Sequence, residues 1–96
     1  MNRHDYENVK VAMQEPDSFV IECFYRSAED ELSKRKISPI RWKGDDNEYL
    51  LAMCLTDGEP KTFLTKGISV TKVIDANDVL IPEPKIVAVK SGNNDR

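Results

Sequence analysis

The sequence predicts a mainly β fold, a small five-stranded barrel preceded by one helix. Three observations predict it. Short runs of β-branched, aromatic and aliphatic residues recur between Ser18 and Ile74, as strands require. Groups of Asp, Asn, Glu and Gly separate them at roughly regular spacing, which suits tight turns. Ahead of them Tyr6, Val9 and Met13 stand at i, i+3 and i+7, the spacing of one helix face. Closing five short strands on themselves removes exposed sheet edges, so a barrel is expected.

Each element follows in order. Asp5 is the expected cap of the helix and Pro16 its stop, giving an N-terminal segment over 1–17. The first strand, over 18–25, carries Phe19, Val20, Ile21, Phe24 and Tyr25. The acidic triplet Glu29, Asp30 and Glu31 is too costly to bury and makes a solvated hairpin loop. A second strand runs over 33–42, with Ile40 and Trp42 expected on one face. Asp45, Asp46 and Asn47 turn the chain after Gly44, and Tyr49, Leu51, Met53 and Leu55 alternate along a third strand. Leu50, Ala52 and Cys54 fill its other face, so both faces are expected to be covered. Asp57-Gly58 supplies the next hairpin turn, leading to a fourth strand over 61–64, which Gly67 ends. Ile68, Val70 and Ile74 mark the fifth, and 75–78 turns the chain again. The barrel therefore spans 18–81. Pro82 and Pro84 leave 82–96 as an edge segment with Ile86, Val87 and Val89, followed by a polar tail.

Composition excludes several classes of function. At 96 residues, with 40% hydrophobic and 32% charged residues, the chain is the size of one folded domain. Its longest apolar runs, Phe19-Val20-Ile21 and Val79-Leu80-Ile81, fall far short of the roughly 20 residues that span a bilayer. Arg3, Asp5, Glu7 and Lys10 replace the pattern of a secretory signal, so a cytoplasmic protein with no membrane association is expected. Cys23 and Cys54 lie inside apolar strands with no Cys/His grouping, which indicates buried thiols and no metal site. His4 is the single histidine, and the acidic groups cluster in two turns, so neither a nucleophile-base pair nor a carboxylate pair is assembled. No catalytic residues and no cofactor are expected; the chain reads as a binding module and not an enzyme.

The order Phe24-Tyr25-Arg26, Arg35-Lys36-Ile37-Ser38-Pro39, Tyr49-Leu50-Leu51-Ala52, Lys61-Thr62-Phe63 and Ile68 resembles the WYL domain. That family's pattern runs from an I-x-Y strand through R-x-x-x-P, W-Y-L-x-A and R-x-F to D-R-I. The likeness covers about residues 9 to 74. It implies an Sm-like, SH3-like barrel that acts as a sensing or binding module in bacterial and phage proteins, and that binds nucleic acid or nucleotide-like ligands. Arg26, Arg35 and Lys61 stand at the family's basic positions. Glu48 replaces the family's Trp, and Gly67 replaces the Arg of D-R-I, removing one ligand contact that the resemblance implies. Only about one helix fits before Ser18, so duplex reading by a recognition helix is not expected.

The charge pattern supports an anionic ligand. Lys34, Arg35, Lys36, Arg41 and Lys43 fall in one stretch without an acid, and Lys61, Lys66 and Lys72 in another. Tyr25, Trp42, Tyr49 and Phe63 are interleaved with them, and cations with aromatic platforms suit single-stranded nucleic acid. The same aromatics also suit the interior of a barrel, and the same cations a solvated or salt-bridged face. Trp42 reads equally as a ligand platform or a partner contact. The net charge of −3 argues against tight non-specific duplex binding but leaves room for a local patch. The expected function is recognition of a single strand or another anion by Tyr25, Arg26, Arg35, Arg41, Trp42, Tyr49, Lys61 and Phe63. The alternative is a protein-interaction or homo-oligomerisation module using the barrel edge or 86–89.

Overall fold

The computed structural model of the chain describes residues 1–80; the segment at 82–96, with Ile86, Val87 and Val89, lies outside the described residues. Helix α1 (Arg3–Gln14) starts one turn earlier than the Asp5 cap implied, because Asn2 Oδ1 accepts the Asp5 N–H at 2.7 Å. The Asp5 carboxylate is thereby released for another use and accepts the Val70 N–H at 3.1 Å, tying the helix to an edge strand. Pro16 follows the helix end, as expected.

Five antiparallel strands follow: β1 (Phe19–Arg26), β2 (Leu32–Lys43), β3 (Tyr49–Cys54), β4 (Glu59–Leu64) and β5 (Ile68–Asp75). They form one sheet in the order β4-β3-β2-β1-β5. The mainly β, five-stranded reading with one N-terminal helix is thus correct, but the sheet does not close into a barrel. Its edges are protected in other ways. Pro60 sits in edge strand β4, where a missing N–H costs no ladder bond, while β5 has Asp5 on Val70 and a register shift opposite Glu22 and Cys23. A 3-10 turn, Thr65–Gly67, joins the two edges across the end of β1. Gly67 is required there because a Cβ at this position would overlap the Arg26 carbonyl oxygen. The family's Arg has no room at this site. The segment expected to turn at 75–78 instead opens a short helix α2 (Ala76–Leu80), since Asp75 Oδ1 accepts the Asn77 N–H.

The core lies under α1. Val9 and Ala12 of the helix pack with Ile21, Cys23, Ile37, Leu50, Ala52, Cys54, Phe63 and Ile68 of all five strands. Alternation puts these residues on one face of the sheet, the helix face. The opposite, outer face is only partly covered: Leu51 and Met53 are half-buried and Tyr49 is exposed. Val20 is buried there, where α2 meets β1 and β5. Gly58 takes φ +77 in the β3–β4 turn, the conformation its Asp-Gly pair implied.

Candidate functional site

The long strand β2 decides where the cations point. Up to Pro39 it alternates strictly: Arg35 pairs with Cys23, and Ile37 pairs with Ile21 and Cys54, on the helix face. Lys34 and Lys36 point outward, opposite Phe24 and Glu22. The register then shifts between Pro39 and Arg41, where Pro39 has no N–H to give the ladder. Ile40 becomes the extra residue and is exposed, instead of sharing a face with Trp42. After the shift Arg41 pairs with Leu51 and Lys43 with Tyr49, both outward, while Trp42 pairs with core Leu50. The bulge therefore gathers Lys34, Lys36, Arg41 and Lys43 on the outer face. From Lys34 to Lys43, nine residue steps, the stripe is about 30 Å long.

Aromatic rings stand at both ends of this stripe. Phe24, opposite Lys34, is 41% exposed, and Tyr49, opposite Lys43, is 42% exposed. Lys36, Arg41 and Lys43 have no ion pair among the described residues. Lys34 and Lys72 reach Glu22 only at 3.9 Å each. The Glu22 carboxylate, buried on this same face across from Lys36, offsets part of the charge at the Lys34 end, so Lys36, Arg41 and Lys43 are the cations left to an approaching anion.

Arg35 and Lys61 come together differently. Both bind the same carboxylate oxygen, Asp57 Oδ2, at 2.7 Å each. Arg35 also donates to Ser33 Oγ at 3.0 Å and lies 3.5 Å from Cys54 Sγ. The Lys61 ammonium, followed by the Arg35 guanidinium, holds the Asp57 carboxyl below its usual range, and Asp57 in turn raises Lys61. This pair already has an internal anion. Arg26 does not join it, because it lies on the outer face and pairs with Asp30 at 3.0 Å. Of the three cations at the family's basic positions, Arg26, Arg35 and Lys61, only Arg35 and Lys61 come together.

The aromatics divide in the same way. Tyr25 and Phe63 pack edge to face, with ring centroids 4.9 Å apart, and the Tyr25 hydroxyl accepts the Leu64 N–H. Trp42 stacks on Tyr6 of α1 at 4.7 Å, with only 6° between the ring planes. These three rings hold the fold together, and of the aromatics expected at the site Tyr49 alone is exposed on the outer face. Phe24, Lys34, Lys36 and Lys43 belong with it. Proline inside a central strand was the signal for the bulge that aligns the four cations. Cys23 and Cys54 are free and buried, and burial with Cys54 nearby pushes the Cys23 thiol up to about 12.

These elements define an open five-stranded antiparallel sheet with an N-terminal helix on one face and cations on the other. No protein-family model and no curated protein matches the chain. Among solved structures the fold is similar to part of proteasome accessory factor B/C (PafBC) of Arthrobacter aurescens, with a TM-score of 0.58 at 18% sequence identity. The match covers 88% of this chain and 14% of that chain, so this chain spans a small part of that protein's length. No helix among the described residues is long and apolar enough to cross a membrane.

Proposed function

We propose that the chain is a WYL-like regulatory or ligand-sensing module, without catalytic activity, that binds a single-stranded nucleic acid on the outer face of its sheet. The observation that carries this reading is the bulge after Pro39, which puts Lys34, Lys36, Arg41 and Lys43 on one exposed face. Spaced cations neutralise phosphates along a strand, and Phe24 and Tyr49 offer stacking surfaces at the two ends. The ordered motifs and a fold like that of the PafBC segment support the WYL-like class. Such a module would act in the cytoplasm. A flexible single strand suits the flat, partly apolar face better than a duplex, which needs an element shaped for a groove.

Titration of a labelled ten-nucleotide DNA or RNA strand at two salt concentrations tests the reading. Affinity should fall with salt by a log-log slope of about 0.7 per phosphate engaged. Salt-independent binding, or none at low salt, would move the assignment to a protein-interaction module.

A further inference from the structure

The outer face keeps open apolar surface beyond α2. Tyr49 is 42% exposed, Leu51 and Met53 beside it on β3 are half-buried, and Ile40 at the bulge is 46% exposed. α2 meets β1 and β5 at Val20, across β2 from this column. Register relates the two places. Ile21 pairs with Ile37, so the next outward residues, Val20 and Ser38, stand side by side, and Ser38 pairs with Met53. Val20 and Met53 are thus two strand spacings apart, about 10 Å. From Met53 to Tyr49, four residue steps, the column on β3 is about 13 Å long. The chain leaves α2 at Leu80, so residues 81–96, outside the described residues, begin at this corner of the sheet.

We propose that segment 86–89 of this chain docks on the β3 column and shields Arg41 and Lys43, which stand opposite Leu51 and Tyr49. Length fits at each step. Residues 81–85 carry Pro82 and Pro84, and an extended proline-rich stretch advances about 3.1 Å per residue, or about 15 Å in all, enough to cross from Val20 to Met53. The next four residues, Ile86, Val87, Ala88 and Val89, cover about 13 Å as extended chain, the length of the column. Both alternating sets in this run are apolar, so either one can meet the sheet. Charge fits as well. Glu83 would cross β2 beside Lys36, and Lys90 would end at the acidic turn of Asp45, Asp46 and Glu48.

The sheet edges offer the segment a poorer place. On β4 Pro60 lacks an N–H and the Leu64 N–H goes to the Tyr25 hydroxyl, and on β5 the Val70 N–H goes to the Asp5 carboxylate. The tether selects the chain's own segment over a second copy or another protein, because so short a linker gives an effective concentration in the millimolar range. The shielding of Arg41 and Lys43 rests on the strand-binding reading above; the docking does not. Displacing 86–89 would open the strand site, which makes the segment its regulator.

The test is methyl and aromatic NMR of the full chain beside the variant Ile86→Ser/Val87→Ser/Val89→Ser, whose changes all lie outside the helix-face core. Nuclear Overhauser contacts should join the Val87 or Val89 methyls to the Tyr49 ring and the Met53 methyl, with an intensity that does not depend on protein concentration. In the variant these contacts should vanish and the Tyr49, Leu51 and Met53 signals should shift. A ten-nucleotide strand should then bind about threefold more tightly at low salt, the factor for a site that is free about a third of the time. Contacts to residues of the β4 or β5 edge, contacts only between differently labelled copies in a mixed sample, or no contacts at all would overturn the docking. Contacts on the column with strand affinity unchanged in the variant leave the docking standing and overturn the shielding. If neither protein binds the strand, the strand-binding reading and the shielding both fall, while the contacts still decide the docking.

Discussion

The two faces of β2 carry the same kind of residue to different ends. On the helix face Arg35 is 22% exposed and is held by Asp57 and Ser33, next to Cys54. On the outer face Lys36, Arg41 and Lys43 are exposed and unpaired among the described residues. One basic stretch has thus been sorted into a structural cation and available ones. The sorting device is backbone geometry: period-2 alternation up to Pro39, then one extra residue that restores the outward direction for Arg41 and Lys43.

The largest expected difference between the faces is in stability. Ile37 is fully buried, and Ile37→Ala should destabilise the protein by about 2 to 5 kcal/mol. Its neighbour Lys36 points outward, and Lys36→Ala should change stability by less than about 0.5 kcal/mol. Urea unfolding of the two variants measures both.

Deleting Ile40 attacks the sorting itself. Without the extra residue, Arg41 and Lys43 would turn to the helix face and Trp42 would leave its stack on Tyr6. The expected loss is about 2 kcal/mol in stability, from apolar burial and ring stacking, together with strand affinity. A deletion variant that keeps both would show that the bulge does not set the face.

A smaller effect is expected at the paired cation. Arg35→Ala should cost about 1 kcal/mol of stability and leave strand binding within about twofold, since its partner Asp57 keeps Lys61. Calorimetry and the same titration separate the two outcomes.

The smallest effect is a pH dependence. Lys61 and Arg35 lower the Asp57 pKa in the folded protein, so its contribution to stability is present above the ordinary aspartate range. That contribution is lost as pH falls through the lowered folded value. Asp57→Asn should therefore flatten the acid limb of a melting-temperature profile below pH 4, relative to the unmodified protein. An identical acid limb would show that the carboxylate stabilises nothing.

Most of the fold is legible because local chemistry dictates it. Strands β1 to β5 fall where alternation and turn residues place them, since each exposes or buries a face in a simple rhythm. Barrel closure is not legible, because the edges are protected by tertiary events: the Asp5 carboxylate on Val70, and Gly67 against Arg26. The site is half legible. Arg41 and Tyr49 are on the outer face, but Arg35, Lys61, Tyr25, Trp42 and Phe63 are committed to the helix face by their cross-strand partners. Sequence spacing alone treats β2 as unbroken, which assigns Arg41 and Lys43 to the face opposite Lys34 and Lys36. Reading Pro39 as a bulge marker corrects that assignment.

The most direct test compares the single-strand affinity and salt slope of the unmodified protein with two variants, Lys36→Ala/Arg41→Ala/Lys43→Ala and Arg35→Ala/Lys61→Ala. The outer-face variant should weaken binding at least tenfold at low salt and reduce the log-log slope by about 2, as three lost phosphate contacts require. The helix-face variant should leave the slope unchanged. A slope that falls in the helix-face variant and stays the same in the outer-face variant would contradict the account.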